Sequence, residues 1–351
     1  MYMKEVFKSE LNDTERRDIK MFCNSVDYFS LEQSLGFPEI LYKAKITFFY
    51  LTDQDKIRSY CQITENFKFA QIWYGPVCDD KDLMIESMLK IAEYYRERGF
   101  WYLGIQPYRK TGFEADYIEY KLNSQLRISY VFSNENTKAS LEIELDKSYD
   151  EIFSSFRKGH KSAVRKALSL GISVTEPESP ADLDSFIEVY RRMCSERGIS
   201  GHTRNEIERI YQYLVENNCG EILLAKGSGE EILGGAFFVF QGLSVRYLLS
   251  AADPGRKDLP VTHLVLSTAI ERAKKAGFRY FDFWGYNHFA TPDDQVYMVN
   301  RFKKGFGGYF SFLMKRMNIS LIPGGFKIYR IYNKTRKLLP ALRVQYLKRQ
   351  K

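Results

Sequence analysis

Apolar and polar positions set out the same short pattern twice along this chain. In the first half, Lys45-Ile46-Thr47-Phe48-Phe49-Tyr50-Leu51 and Phe69-Ala70-Gln71-Ile72-Trp73-Tyr74 read as strands, rich in the aromatic and β-branched residues that pleated surfaces favour. A helical stretch over residues 82–98 follows, with Met88, Ile91, Ala92 and Tyr95 at helical spacing. Gly99 is placed to end it in a left-handed cap, before the aromatic run Phe100-Trp101-Tyr102-Leu103-Gly104-Ile105. The second half has strands at Glu221–Ala225, Gly235–Phe240 and Ser244–Leu249, the first two joined by a Gly227-Ser228-Gly229 turn. A helix over 261–276 carries Leu266, Ala269, Ile270 and Ala273 on one face. Gly277 stops it, and Tyr280-Phe281-Asp282-Phe283-Trp284-Gly285 is the next strand.

Gly99-Phe100-Trp101-Tyr102 echoes Gly277-Phe278-Arg279-Tyr280 at an offset of 178 residues, and the same offset lays Pro76 on Pro254. Two copies of a β-β-(β)-α-β unit predict an α/β protein of two tandem domains, with mixed sheets flanked by helices. A length of 351 residues and 44% apolar composition suit two cores. The expected division is 1–147, 148–320 and a C-terminal helix over 321–351. The junction lies where Leu141-Glu142-Ile143-Glu144-Leu145 gives way to Asp146-Lys147-Ser148-Tyr149-Asp150, and Ser148 or Asp150 is placed to cap a basic helix weakened by Gly159. No low-complexity linker intervenes, so the halves are expected to pack with a cleft between them.

Charge adds a second asymmetry to the repeat. The chain carries a net +8, yet residues 301–351 hold 14 Lys/Arg and no acid, leaving 1–300 at −6. A further basic run is Arg157-Lys158-Gly159-His160-Lys161 with Arg165-Lys166. An anionic partner is the natural reading: RNA, a nucleotide or a membrane surface. Five scattered cysteines lack disulfide or zinc spacing, and four histidines are dispersed, so neither a disulfide framework nor a metal site is expected. No segment approaches the roughly 18–20 apolar residues that span a bilayer, and the charged opening Met1-Tyr2-Met3-Lys4-Glu5 predicts no secretory leader. A cytoplasmic location follows as the expectation.

The strand–loop–helix–strand of the second half resembles the cofactor half of GCN5-related N-acetyltransferases (GNATs). There, a glycine-rich loop offers backbone N–H groups to the coenzyme A pyrophosphate. The loop here, Asp253-Pro254-Gly255-Arg256-Lys257-Asp258-Leu259-Pro260, ends in Leu259, Pro260 and Val261, where a proline has no N–H and branched side chains bar close approach. Its counterpart Gly75-Pro76-Val77-Cys78-Asp79-Asp80 carries two carboxylates. No cofactor is therefore expected.

Tyr247-Leu248-Leu249-Ser250, Tyr280–Gly285, Phe302-Lys303-Lys304-Gly305-Phe306-Gly307-Gly308, Tyr74-Gly75-Pro76-Val77 and the basic stretch Lys158 to Val174 together resemble the Fem family of peptidoglycan bridge-forming aminoacyltransferases. The resemblance covers most of the chain and implies a duplicated GNAT-like fold whose C-terminal helix packs back on the first domain. It further implies transfer of an amino acid from aminoacyl-tRNA to an amine of a UDP- or lipid-linked muropeptide, with no DNA partner. Such chemistry passes through a tetrahedral oxyanion and needs a nearby positive group. The matching lysine is Lys303, with Phe302 walling the site or stacking on the terminal base. Lys43, Lys161 and Arg204 are the implied acceptor contacts, with Tyr247 beside them. Asp282 suits either a base or a structural hydrogen bond. One element departs from the family: Glu208 stands where its Thr-x-Arg-x-x-x-Tyr motif has tyrosine. The basic tail fits tRNA phosphates, or a peripheral membrane contact. Two other functions fit the same residues: an N-acyltransferase using a coenzyme A or carrier-protein thioester, and a non-catalytic RNA-binding protein.

Overall fold

The computed structural model describes residues 3–41, 44–78, 80–131 and 138–335. The chain forms two compact units. One holds Met1–Leu35, Tyr42–Thr137 and Leu313–Lys351; the other holds Gly36–Leu41 and Lys138–Phe312.

The first unit contains β1 (Lys4–Lys8), β2 (Lys45–Asp53), β3 (Lys56–Asn66), β4 (Phe69–Trp73), β5 (Tyr102–Gln106), β6 (Ile128–Ser129) and, from far along the chain, β14 (Met317–Ser320). They form one sheet in the order β1-β2-β3-β4-β5-β14-β6. Its helices are α1 (Asp13–Ser25), α3 (Lys81–Glu97) and α4 (Phe113–Asn123). The alternating residues Ala70, Ile72, Leu103, Ile105, Met317 and Ile319 meet Met88, Ile91 and Tyr95 of α3 in a single core. Residues 325–335 are helical, and Tyr329 stacks on Tyr102 with ring centres 3.9 Å apart. The remainder of the basic tail lies outside the described residues.

The second unit contains β7 (Ala139–Glu144), β8 (Ser173–Thr175), β9 (Gly220–Lys226), β10 (Ile232–Gln241), β11 (Ser244–Ala252), β12 (Tyr280–Asp282) and β13 (Tyr309–Phe312), in the sheet order β13-β7-β12-β11-β10-β9-β8. Its helices are α2 (Phe37–Leu41), α5 (Tyr149–Ser155), α6 (Lys158–Ser169), α7 (Pro180–Arg197), α8 (Arg204–Glu216), α9 (Val261–Lys275) and α10 (Gln295–Lys304). Val245, Phe281 and Phe283 pack with Leu266, Ala269 and Ile270 of α9. Each fully buried side chain of this size contributes about 1.5–3 kcal/mol.

The repeat is real at the level of topology. β4-α3-β5 and β11-α9-β12 are each a helix joining two parallel strands. Gly99 and Gly277 both have positive φ (66° and 83°). The next residues close the caps, from Phe100 N to Tyr95 O and from Phe278 N to Ala273 O.

Two expectations need correction. The boundary at 147 divides the wrong elements: β7 precedes it yet pairs with β12 and β13, and β14 precedes residue 321 yet lies between β5 and β6. Each unit thus completes its sheet with a strand from the far side of the expected boundary, a long-range pairing that local periodicity does not record. Ser148 caps the short α5, in a capping box with Glu151, rather than the basic helix. The basic α6 starts afresh at Lys158, so Gly159 lies in its first turn instead of weakening its interior.

Candidate active site

β12 pairs with β11 only from Ser244 to Arg246, whereas β11 continues to Ala252. From Tyr247 onward, among the described residues, β11 has no partner on that side, and Tyr247 to Ser250 are partly exposed, whereas Val245, Arg246 and Ala251 are buried. Opposite Phe237 and Phe238 the register slips by one residue at Leu248, a bulge that adds to the divergence. The two parallel strands therefore splay apart beyond Arg246 and Asp282.

Lys303 reaches this opening from the last turn of α10. Its side chain is buried, with 7% exposure, and its ammonium donates to the carbonyls of Trp284 and, at 3.3 Å, Gly285. Burial pulls its pKa down to about 8, and the neighbouring Asp282 only partly opposes this. Gly285 is exposed with φ 55°, and a Cβ there would stand 3.9 Å from the ammonium. A bare glycine keeps that approach open.

Asp282 is 2% exposed. Its Oδ1 accepts from the Ser140 hydroxyl and, at 2.7 Å, from Trp284 N–H. Burial, and after it Glu142, raises its pKa. These two donors hold the turn that presents the Trp284 and Gly285 carbonyls to Lys303, which is a structural task. Behind the turn, the fully buried Arg246 guanidinium lies 3.7 Å from the Trp284 ring centre, and Tyr309 OH donates to Glu142 at 3.0 Å.

The glycine–aromatic motif anchors α10. A Cβ at Gly305 would overlap the His160 ring, and one at Gly308 would strike the Glu142 carbonyl. His160 Nε2 donates to Phe302 O at 2.9 Å. Phe302 is half-buried among the rings of His263 (4.9 Å), Phe306 (5.3 Å) and His160 (5.5 Å). Burial and the His160 neighbour bring His263 down to about 4, so this cluster is neutral and apolar at physiological pH.

Tyr247 joins the same region through Phe283, at 6.5 Å, and shares a hydrogen bond with the Ser250 hydroxyl. Lys161 follows His160 on α6 and donates to Ser154 O at 2.8 Å. Arg204 is elsewhere engaged: it opens α8, paired with Asp184 and, at 3.2 Å, with Glu208. Glu208, the residue in the tyrosine's place, thus neutralises the arginine of its own motif. Lys43 lies outside the described residues. Sequence reading missed Ser140, Glu142, Arg246, Trp284 and His160. The alternation in Ala139-Ser140-Leu141-Glu142-Ile143 puts Ser140 and Glu142 on one strand face, but nothing local says which strand they meet.

A GNAT would set coenzyme A at the start of α9. Three of the loop's amides are spent internally: Gly255 N–H donates to the Asp253 carboxylate, Arg256 N–H to Asp253 O and Leu259 N–H to Arg256 O. Pro260 has no N–H to give. Together these leave the loop with fewer free amides than a glycine-rich cradle offers.

An acetyltransferase (GNAT) domain model matches residues 154–303. Among solved structures, FemX aligns with a TM-score of 0.79 at 17% identity, covering 93% of this chain and 99% of that one. The chain has the Fem fold. Two other structures share this architecture more loosely. L-PGS from Bacillus licheniformis has a TM-score of 0.57 at 10% identity, over 90% of this chain and 94% of that one. A tandem GNAT protein from the clavulanic acid biosynthesis pathway has 0.53 at 8%, over 92% and 99%. In sequence, this Fem-fold chain is 20% identical to the lipid II:glycine glycyltransferase of Staphylococcus aureus over 297 residues, 66% of this chain. The match spans 65% of that relative's length. Among the described residues of the Fem fold seen here, no helix is long and apolar enough to cross a membrane.

Proposed function

We propose that this protein is an aminoacyltransferase, moving an amino acid from aminoacyl-tRNA to an amine of a peptidoglycan precursor peptide. The observation that carries the reading is the buried Lys303 ammonium at the splay of β11 and β12, held on the Trp284 and Gly285 carbonyls. The Fem fold and the glycyltransferase relative support the same direction.

The donor is an ester and the acceptor a primary amine. The amine nitrogen attacks the ester carbonyl, giving a tetrahedral oxyanion that collapses by expelling the tRNA ribose oxygen. The proton that the amine nitrogen sheds ends on the departing ribose oxygen, so the products are an amide and a free ribose hydroxyl. Two of the three Lys303 N–H bonds are spent on Trp284 and Gly285, and the third is left for a substrate oxygen, either the oxyanion or a terminal phosphate. In a buried setting such a charge stabilises a developing oxyanion far better than it would in water. The Phe302 cluster is the apolar wall that excludes water. Asp282 holds the Trp284–Gly285 turn as a positioning residue. That relative is a lipid II:glycine glycyltransferase, and a lipid-linked acceptor is the form we favour here.

Purified full-length protein, given pools of charged tRNA and UDP- or lipid-linked muropeptide, should consume aminoacyl ester and add one residue's mass to the peptide. Transfer from an acyl thioester but from no tRNA pool would replace this reading with an N-acyltransferase. RNA binding without any transfer would favour the non-catalytic alternative.

A further inference from the structure

On the face of the first unit's sheet away from α3, Gln71, Trp73, Gly104, Gln106 and Arg316 come together. Arg316 is 4% exposed. Its guanidinium lies 4.2 Å from the Trp73 ring centre, and Nη2 donates to Gln71 Oε1 at 2.7 Å and to Tyr102 OH at 3.5 Å. Nη1 is buried and makes no hydrogen bond, and among the described residues no carboxylate forms an ion pair with Arg316. Gly104 keeps the space clear, because a Cβ there would run into this guanidinium.

Antiparallel β5 and β14 pair Ile105 with Met317, so the same register carried one step further sets Arg316 opposite Gln106. Gln106 is fully buried. Its amide nitrogen donates to Met314 O at 2.8 Å, while its Oε1 has no hydrogen-bond partner. The two residues that carry an unused cationic donor and an unused acceptor therefore face each other across β5 and β14. An isolated buried charge costs several kcal/mol and a buried polar atom without a partner costs more again. Trp73 and Gln71 are partly exposed, which places the pair one side chain beneath the surface. The carboxyl ends of parallel strands, here β4 and β5, are also where open α/β sheets receive ligands.

We propose that Arg316 and Gln106 form a receptor for the end of a peptide, with Arg316 taking its carboxylate and Gln106 Oε1 accepting an adjacent amide N–H. A fully ionised phosphate would answer only the arginine, since it brings no donor for Gln106 Oε1. The identification of that peptide with the acceptor rests on the aminoacyltransferase reading; the site itself stands on the first unit alone.

Calorimetric titration of the full-length protein without tRNA separates the two claims. The probes are N-acetyl-D-alanyl-D-alanine, its C-terminal carboxamide, and UDP. The free acid should bind at least about 30-fold more tightly than the carboxamide, the loss expected when one partner of a buried charged hydrogen bond is removed. Arg316→Met, of similar length and apolar, should erase that preference while melting no lower than the wild type. Arg316→Lys, which keeps the charge without the fork, should retain part of the preference and serves if the methionine variant does not fold. Equal binding of acid and carboxamide, no binding of either, or a preference untouched in both variants would overturn the proposal. So would UDP displacing the acid through Arg316, which would make the site a phosphate receptor. Failure of transfer from aminoacyl-tRNA leaves this result standing.

Discussion

The two units carry the same helix-linked pair of parallel strands and treat it in opposite ways. In β4-α3-β5 the strands stay paired over all five residues, from Phe69 with Tyr102 to Trp73 with Gln106. On the other side of β4, where the ladder to β3 lapses, the Gln33 side chain stands in for a peptide. Its Oε1 accepts from Gln62 N–H at 2.7 Å and its Nε2 donates to Trp73 O at 2.7 Å. In β11-α9-β12 pairing stops after three residues and nothing among the described residues replaces it. At matched positions, Gly104 admits an arginine in the first unit, while Asp282 organises a lysine-bearing turn in the second. One copy of the repeat is sealed and the other is open. A duplicated backbone thus leaves function to where a ladder lapses and to what, if anything, stands in for it.

The largest test of this contrast is Lys303→Met. If the open copy is the reacting one, transfer should fall by about 10²–10³-fold, as when an oxyanion donor is removed, with the melting temperature held or raised. Near-normal turnover in a folded variant would take Lys303 out of the mechanism.

The same lysine should leave a signature in stability against pH. Below about pH 8 both folded and unfolded chains carry its proton, and the folded chain bears the cost of burying that charge. Between about 8 and the ordinary value of 10.5 the folded chain releases the proton while the unfolded chain keeps it. The unfolded state then binds more protons, so this group's contribution to stability rises with pH across that window, by about 3 kcal/mol. Denaturant melts at pH 7.5 and 10 read the rise as a difference between wild type and Lys303→Met. An identical pH dependence in the two would show that Lys303 is not buried as a charge.

For the sealed copy, Gln33→Ala strands a buried N–H on Gln62 and a carbonyl on Trp73, and should cost about 2 kcal/mol in equilibrium unfolding. Amide exchange at Gln62 should accelerate most. A variant as stable as wild type would mean that the seal is incidental and the contrast between the units weaker than it looks.

How far the sequence foretells this contrast depends on whether the signal is local. The paired glycines, the two helices and the strands before them announce themselves, because caps and periodicity act over a few residues. The one missing N–H at the start of α9 was legible in Pro260 for the same reason. Neither the splay at Tyr247 nor the seal at Gln33 was readable, since each is set by a register between distant segments. The exchange of β7 and β14 across the expected boundary was hidden for that reason too. Lys303 was marked by its motif, yet its burial follows from Gly305 against His160 and Gly308 against the Glu142 carbonyl, contacts well over a hundred residues apart in sequence.

Asp282→Asn gives the smallest and most discriminating effect. The amide keeps an oxygen for Ser140 and Trp284, so the turn and most of the transfer activity should survive; a base would be lost outright. What changes is the field at Lys303. Asp282 is the group that holds the lysine's pKa up against desolvation, so removing its charge should move the alkaline rise in stability to begin below about pH 8. A window that stays in place would mean that Asp282 is already protonated, as its own raised pKa favours. The open copy would then hold its buried ammonium on backbone carbonyls alone.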